Sequence, residues 1–130
     1  MINFKNKNIL VTGASGGIGK EIVKKFVSLG GNVLGTGTKT EKLDLLKKQY
    51  PTIKVKKFDM SEDSRIEEFI DNVNLELGGL DILINNAGMN IDNLSLRMNE
   101  EEWKKVININ LTSTFLLSKY AIKKMLKNKF

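Results

Sequence analysis

The sequence predicts an α/β fold in which a doubly wound parallel sheet carries helices on both faces. Three observations predict it. Short apolar runs of strand length alternate with longer stretches of helical periodicity, in the order β-α-β-α-β-α-β-α. The last of those runs, within LDILINNAG (80–88), is apolar rather than alternating, as a strand covered on both faces would be. A glycine-rich stretch, LVTGASGGIGKE (10–21), joins the first strand to the first helix, where such sheets bind ligands. Right-handed crossovers then give the strand order 3-2-1-4.

Each element has its own signal. NILVTG (8–13) is a buried-type strand. From Gly17 to Leu29, the residues Ile18, Ile22, Val23, Phe26 and Val27 form one apolar helix face, with Lys20, Glu21, Lys24 and Lys25 opposite. Gly30 and Gly31 stop that helix, and NVLGT (32–36) follows as a strand. TEKLDLLKKQY (40–50) is a helix ended by Pro51, and IKVKKF (53–58) alternates as an edge strand does. The segment 61–77 reads as a helix capped by Ser61, with Ile66, Phe69, Ile70 and Val73 as its buried stripe. Gly78 and Gly79 end it. The fourth strand, 80–88, is expected to be buried on both faces, and 99–128 is helical almost throughout.

The bulk numbers bound the function. At 130 residues the chain is one domain, 41% hydrophobic and 28% charged, with no repeat or linker-like stretch. No apolar run is of membrane-spanning length, and a strand begins within about eight residues of Met1, too soon for a signal peptide. A cytoplasmic location is expected. Cysteine and histidine are absent, which excludes a disulfide framework, Cys/His zinc sites and Cys- or His-based nucleophiles. No metal site is expected, and acid–base chemistry falls to carboxylates, Lys or Tyr.

Five of the six net positive charges lie in the last twelve residues, on Lys119, Lys123, Lys124, Lys127 and Lys129. Three readings stay open: lysines matched to a helix C-terminus, a docking patch for an acidic partner, or a nucleic-acid surface. The last is the poorest, because only Tyr120 and Phe130 interleave aromatic rings. Neither nucleic acid nor membrane is expected as a partner.

The glycine stretch fits one phosphate cradle and fails two. A nucleotide-triphosphate P-loop needs Gly at the position of Ala14 and a hydroxyl at that of Glu21. A strict G-x-G-x-x-G fails at Ile22. Thr12, Gly13, Gly17 and Gly19 spell T-G-x-x-x-G-x-G, which resembles the short-chain dehydrogenase/reductase family. The resemblance implies a Rossmann-type fold and a dinucleotide held by Gly13, Ala14, Ser15, Gly16, Gly17, Ile18 and Gly19. There, small residues let the backbone approach a pyrophosphate at a helix N-terminus.

NNAG (85–88) matches a second motif of that family, which implies that Asn86, Ala87 and Gly88 line the nicotinamide-ribose side. FDMSED (58–63) resembles the family's turn after the third strand, with Asp59 and Met60 flanking the adenine. Residues 85–130 resemble the bacterial 3-oxoacyl-[acyl-carrier-protein] reductases in particular. This implies a catalytic role for Asn110 of NINL, holding a water in a proton relay. The likeness runs from residue 1 to 130 and implies a single partial NAD(P)-binding domain that ends before a fifth strand.

The family's catalytic Ser and Tyr-x-x-x-Lys pair lie beyond that fifth strand. Tyr120 and Lys124 have the same spacing but stand on the helix before it, so the match is read as coincidental. The chain as given is expected to bind part of a dinucleotide and to reduce nothing. The alternative is a non-catalytic remnant that works by association. Its fourth strand is expected to be an open edge. The family packs residues such as Val106, Ile109, Phe115, Leu116 and Ile122 on the sheet and on a neighbouring subunit, which implies a homo-oligomer through 99–128. No acid ends the second strand, and Thr38 and Lys39 are available to a 2′-phosphate, so NADPH is favoured over NADH. Gly16 departs from the Arg that many members carry. The implied substrate is an acyl-carrier-protein thioester, its acidic carrier meeting the basic end near Lys129.

Overall fold

The computed structural model describes residues 2–87 and 99–128. Strand β1 (Asn8–Val11) has no face turned to solvent, which explains why its sequence does not alternate. Ile9 and Val11 point into one layer and Leu10 into the other, all three fully buried. The first layer is closed by α1 (Gly17–Ser28) and α2 (Thr40–Gln49). It packs Val23 and Leu46 against Val33 of β2 (Asn32–Gly37). β3 (Lys54–Lys57) completes that side of the sheet.

The second layer holds α3 (Ile66–Leu77) and α5 (Ser113–Asn128). Here Ile66, Phe69, Ile70 and Val73, the stripe expected from the sequence, meet Leu117 and Ala121. Phe58 stacks on Phe69 with ring centres 4.1 Å apart. β4 (Ile82–Ile84) pairs with β1, so the four parallel strands lie in the order β3-β2-β1-β4. Both the fold class and the strand order are as the sequence predicts.

Four local expectations change. Ser61 does not cap a helix. The Asp59 carboxylate accepts its backbone N–H at 2.9 Å and its hydroxyl at 2.7 Å, and this local turn competes with helix initiation. The chain then makes a 3₁₀ turn (Asp63–Arg65) before α3 begins. β4 is the sheet edge that the sequence also predicts, pairing among the described residues with β1 alone, and it is therefore half-buried rather than buried on both faces. Ile18 leaves the apolar face of α1 and is 72% exposed, because its position in the first turn faces the opening above the sheet.

The long C-terminal helix is interrupted. α4 (Glu100–Ile107), capped by the Asn99 side chain accepting from Glu102 N–H at 2.7 Å, passes through a π-helical turn (Asn108–Thr112) into α5. Of the helix residues expected to pack, Val106, Ile109 and Leu116 are half-buried. Phe115 and Ile122 are exposed together with Trp103, Leu111 and Leu126.

The core predicts its own weak points. Ile70 is fully buried in the second layer. Ile70→Ala should lower unfolding stability by about 2–4 kcal/mol, read as a reduced midpoint in urea with unchanged slope.

Candidate functional site

The carboxyl ends of the strands are held by a few backbone and hydroxyl contacts. Buried Thr12 donates its hydroxyl to the Ile84 carbonyl at 3.3 Å and accepts the N–H groups of Asn86 and Ala87 at 3.0 and 2.9 Å. The Asn86 side-chain amide donates in turn to the Gly13 carbonyl at 3.1 Å. The end of β1 and the turn after β4 are thereby fastened to each other.

The glycines divide by task. Gly13 sits at φ +60°, and a Cβ there would lie 3.0 Å from the Ala87 backbone. A Cβ on Gly19 would come within 1.9 Å of the Gly13 carbonyl oxygen, so helix α1 rests directly on its own entry loop. This contact is with the loop and not with the sheet. A Cβ on Gly17 would meet nothing within 4 Å. No side chain caps α1 and no acid stands in its first turn, so its leading N–H groups and partial positive charge face open space.

That space is a cleft of about 770 Å³ over the strand ends. Of the residues expected to bind a dinucleotide, Gly13, Ser15, Gly16, Gly17, Ile18, Thr38, Asp59, Met60, Asn86 and Ala87 line it. Ala14 and Gly19 do not: both are buried beneath the loop, with the Ala14 N–H donating to the Thr36 carbonyl at 3.0 Å. Gly88 and Lys129 lie outside the described residues. Asn110 occupies the π turn and is exposed, and its neighbour Ile109 is the residue of that turn that lines the cleft.

Sequence reasoning missed Thr36, Gly37, Phe58, Ser61, Lys105 and Ile109 among the lining residues. Gly37, Phe58 and Ser61 adjoin residues it named, and Thr36 stands two before Thr38. Lys105 and Ile109 are four apart on one helix, a spacing that puts both on one face.

The π turn is tied to the turn after β3. The Asn108 side-chain amide donates to the Ser61 carbonyl at 3.4 Å, and the buried Ser113 hydroxyl donates to the Met60 carbonyl. Asp59 is the acid of that turn. Its carboxyl is held below the usual carboxylate range first by the Ser61 N–H, then by the Ser61 hydroxyl. Partial desolvation opposes this, and Lys105 and Lys57 add to it. Asp59 and Lys105 are the only titratable side chains among the described lining residues.

Tyr120 and Lys124 are elsewhere. Lys124 pairs with Asp71 of α3 at 2.7 Å. The Tyr120 hydroxyl is raised above its ordinary value by desolvation and then by the Glu67 carboxylate it bonds. Both pin α5 to α3, and neither lines the cleft. No helix among the described residues is long and apolar enough to cross a membrane.

Comparisons with known proteins agree with this geometry. The sequence model of a family described as short chain dehydrogenase matches residues 7–130. The chain is 37% identical over 129 residues to the 3-oxoacyl-[acyl-carrier-protein] reductase FabG of Escherichia coli strain K12, covering 98% of this chain and 53% of that protein. It is 41% identical over 133 residues to the FabG of Rickettsia conorii, again covering 53% of it. The chain thus spans about half the length of the curated relatives it matches. Among solved structures it resembles a short-chain dehydrogenase/reductase from Brucella melitensis, with TM-score 0.88 and 31% identity over 95% of this chain and 54% of that one. It also resembles a short-chain type dehydrogenase/reductase from Mycobacterium marinum, with TM-score 0.90 and 26% identity over 97% and 53% of the two chains.

Two measurements check the site's construction. Gly19→Ala should cost about 2 kcal/mol or more in thermal unfolding, whereas Gly17→Ala should stay within about 0.5 kcal/mol of the parent. Asp59 has a depressed carboxyl, so its contribution to stability is present above about pH 4 and lost as the pH falls through the folded value. The Tm difference between the parent and Asp59→Asn should therefore be full near about pH 6 and close on acidification.

Proposed function

The chain belongs to the short-chain dehydrogenase/reductase family, and on that premise we propose that its cleft binds NADPH for the reduction of a 3-oxoacyl thioester. The nicotinamide coenzyme follows from the family, and the choice of NADPH over NADH is our reading. The observation that carries it is the uncapped start of α1 facing open space at Gly17. A pyrophosphate fits there, with Ser15, Gly16, Gly17 and Ile18 around it. Asp59 and Met60 flank the adenine, and Asn86, Ala87 and Gly88 serve the nicotinamide ribose. Gly13, Ala14 and Gly19 shape the loop from below. Thr38 on the cleft wall and Lys39 beside it receive the 2′-phosphate, with no acid at the end of β2 to repel it.

The bound nicotinamide supplies the hydride. Asn110, carried on the π turn, holds a water for the proton relay. Asn108 and Ser113 fix that turn against the adenine side of the cleft. The substrate is an acyl-carrier-protein thioester of fatty acid synthesis in the cytoplasm, and its acidic carrier meets the lysines of α5. The exposed Trp103 of α4, Leu111 of the π turn, and Phe115 and Ile122 of α5 pair with a second copy of the chain.

A second reading is a dinucleotide-binding unit with no reduction of its own. It is favoured by the lining of the cleft, whose two described titratable groups both lie at the adenine side. Tyr120 and Lys124 are committed to α3. An assay of acetoacetyl thioester reduction with NADPH, run with and without a separately supplied C-terminal half, separates the two readings: turnover that appears with that half supports the first, and binding without turnover in both cases supports the second.

Titration by NADPH fluorescence tests the coenzyme. NADPH should bind more tightly than NADH, and Lys39→Ala should shrink that preference. Gly17→Val should weaken NADPH at least about tenfold with the fold intact by circular dichroism. Unchanged affinity in Gly17→Val would remove the pyrophosphate from this loop.

A further inference from the structure

Three acids occupy the first turn of α4, and Lys104 takes Glu100 at 3.0 Å. Lys105 is spaced to take Glu101 in the same way. It makes no ion pair among the described residues and instead lines the cleft, one turn before Ile109 on the same face. An exposed lysine that leaves a carboxylate four residues away and turns toward a cavity has a charge to offer a ligand.

Asp59 lines the same cleft. Both of its hydrogen bonds among the described residues go to Ser61 through Oδ1, which leaves Oδ2 for another donor. The Lys105 charge acts on this carboxylate without forming a direct pair. Met60 and Ile109 supply apolar surface to the same cleft. The site therefore offers an acceptor and a cationic donor around apolar walls. A flat ring with an exocyclic amine beside acceptor nitrogens is complementary to it.

We propose that Lys105 is a specificity-determining contact for the coenzyme's aminopurine ring, donating to N1, the ring nitrogen beside the exocyclic amine, while Asp59 accepts from that amine. This rests on the coenzyme reading above, and Lys105 is the new element. A 6-oxopurine does not satisfy the pair in those positions, because it presents an acceptor where Asp59 needs a donor and a protonated N1 where Lys105 needs an acceptor.

The test compares the parent, Lys105→Met and Lys105→Arg, each titrated with NADPH and with its hypoxanthine analogue. Lys105 is on the helix surface, so both variants keep the fold, checked by their Tm. Lys105→Met should weaken NADPH about tenfold, Lys105→Arg should stay within about threefold, and the hypoxanthine analogue should lose little in either. Equal weakening of both dinucleotides would mean bulk charge alone, and overturns the proposal. Unchanged NADPH affinity in Lys105→Met overturns it too, while the coenzyme reading survives. No NADPH binding by the parent overturns both.

Discussion

The hydroxyl of Thr12 is the contact on which the cleft depends. It is buried, it donates once and accepts twice, and its three partners all lie at the end of β4. Two parallel neighbours in a sheet are spaced by their ladder, but the ladder says nothing about where the chain goes after the last pair. Thr12 settles that for β1 and β4 together. The β1 loop and the Asn86–Ala87 turn are drawn so close that Gly13 has no room for a side chain.

The remainder of the site follows from that closeness. Gly13 turns its carbonyl toward α1, and the helix begins against it with only a hydrogen at Gly19. The N-cap of that helix is Gly16, which has no side chain with which to cap its amides. Those amides are left for whatever enters the cleft. On the far side, the turn after β3 spends its acid on Ser61 and its carbonyls on Asn108 and Ser113. Side-chain hydrogen bonds thus fix both walls, from Thr12 and Asn86 on one side and from Asp59, Asn108 and Ser113 on the other.

Much of this was legible in the sequence, and the reasons are specific. The alternation of strand and helix periods, the TGxxxGxG spacing and the stripe Ile66, Phe69, Ile70, Val73 are local patterns with one physical solution, so fold class and strand order could be read. Ser61 misled because an acid two residues earlier offers the backbone a competing turn, and helix-start signals do not weigh that competition. β4 misled because apolar composition reports what a strand suits, while burial depends on the strands beside it. Ile18 has the right spacing for the core and the wrong height along the helix. Lys105 was invisible because its meaning depends on α4 folding back over the strand ends, a long-range fact that no window of sequence contains.

The π turn between α4 and α5 has a geometric effect that outlasts its five residues. Each residue of an ordinary helix advances about 100° around the axis, so one surplus residue resets the angular phase of everything upstream relative to everything downstream. Ile109, at the edge of the cleft, thereby packs on the same layer as Leu117 and Ala121, eight and twelve residues further along. Excising one residue there would yield a straighter rod in which Ile109 swings out of line with that pair. The bulge keeps one continuous segment in phase with a single apolar layer on both sides of its own break.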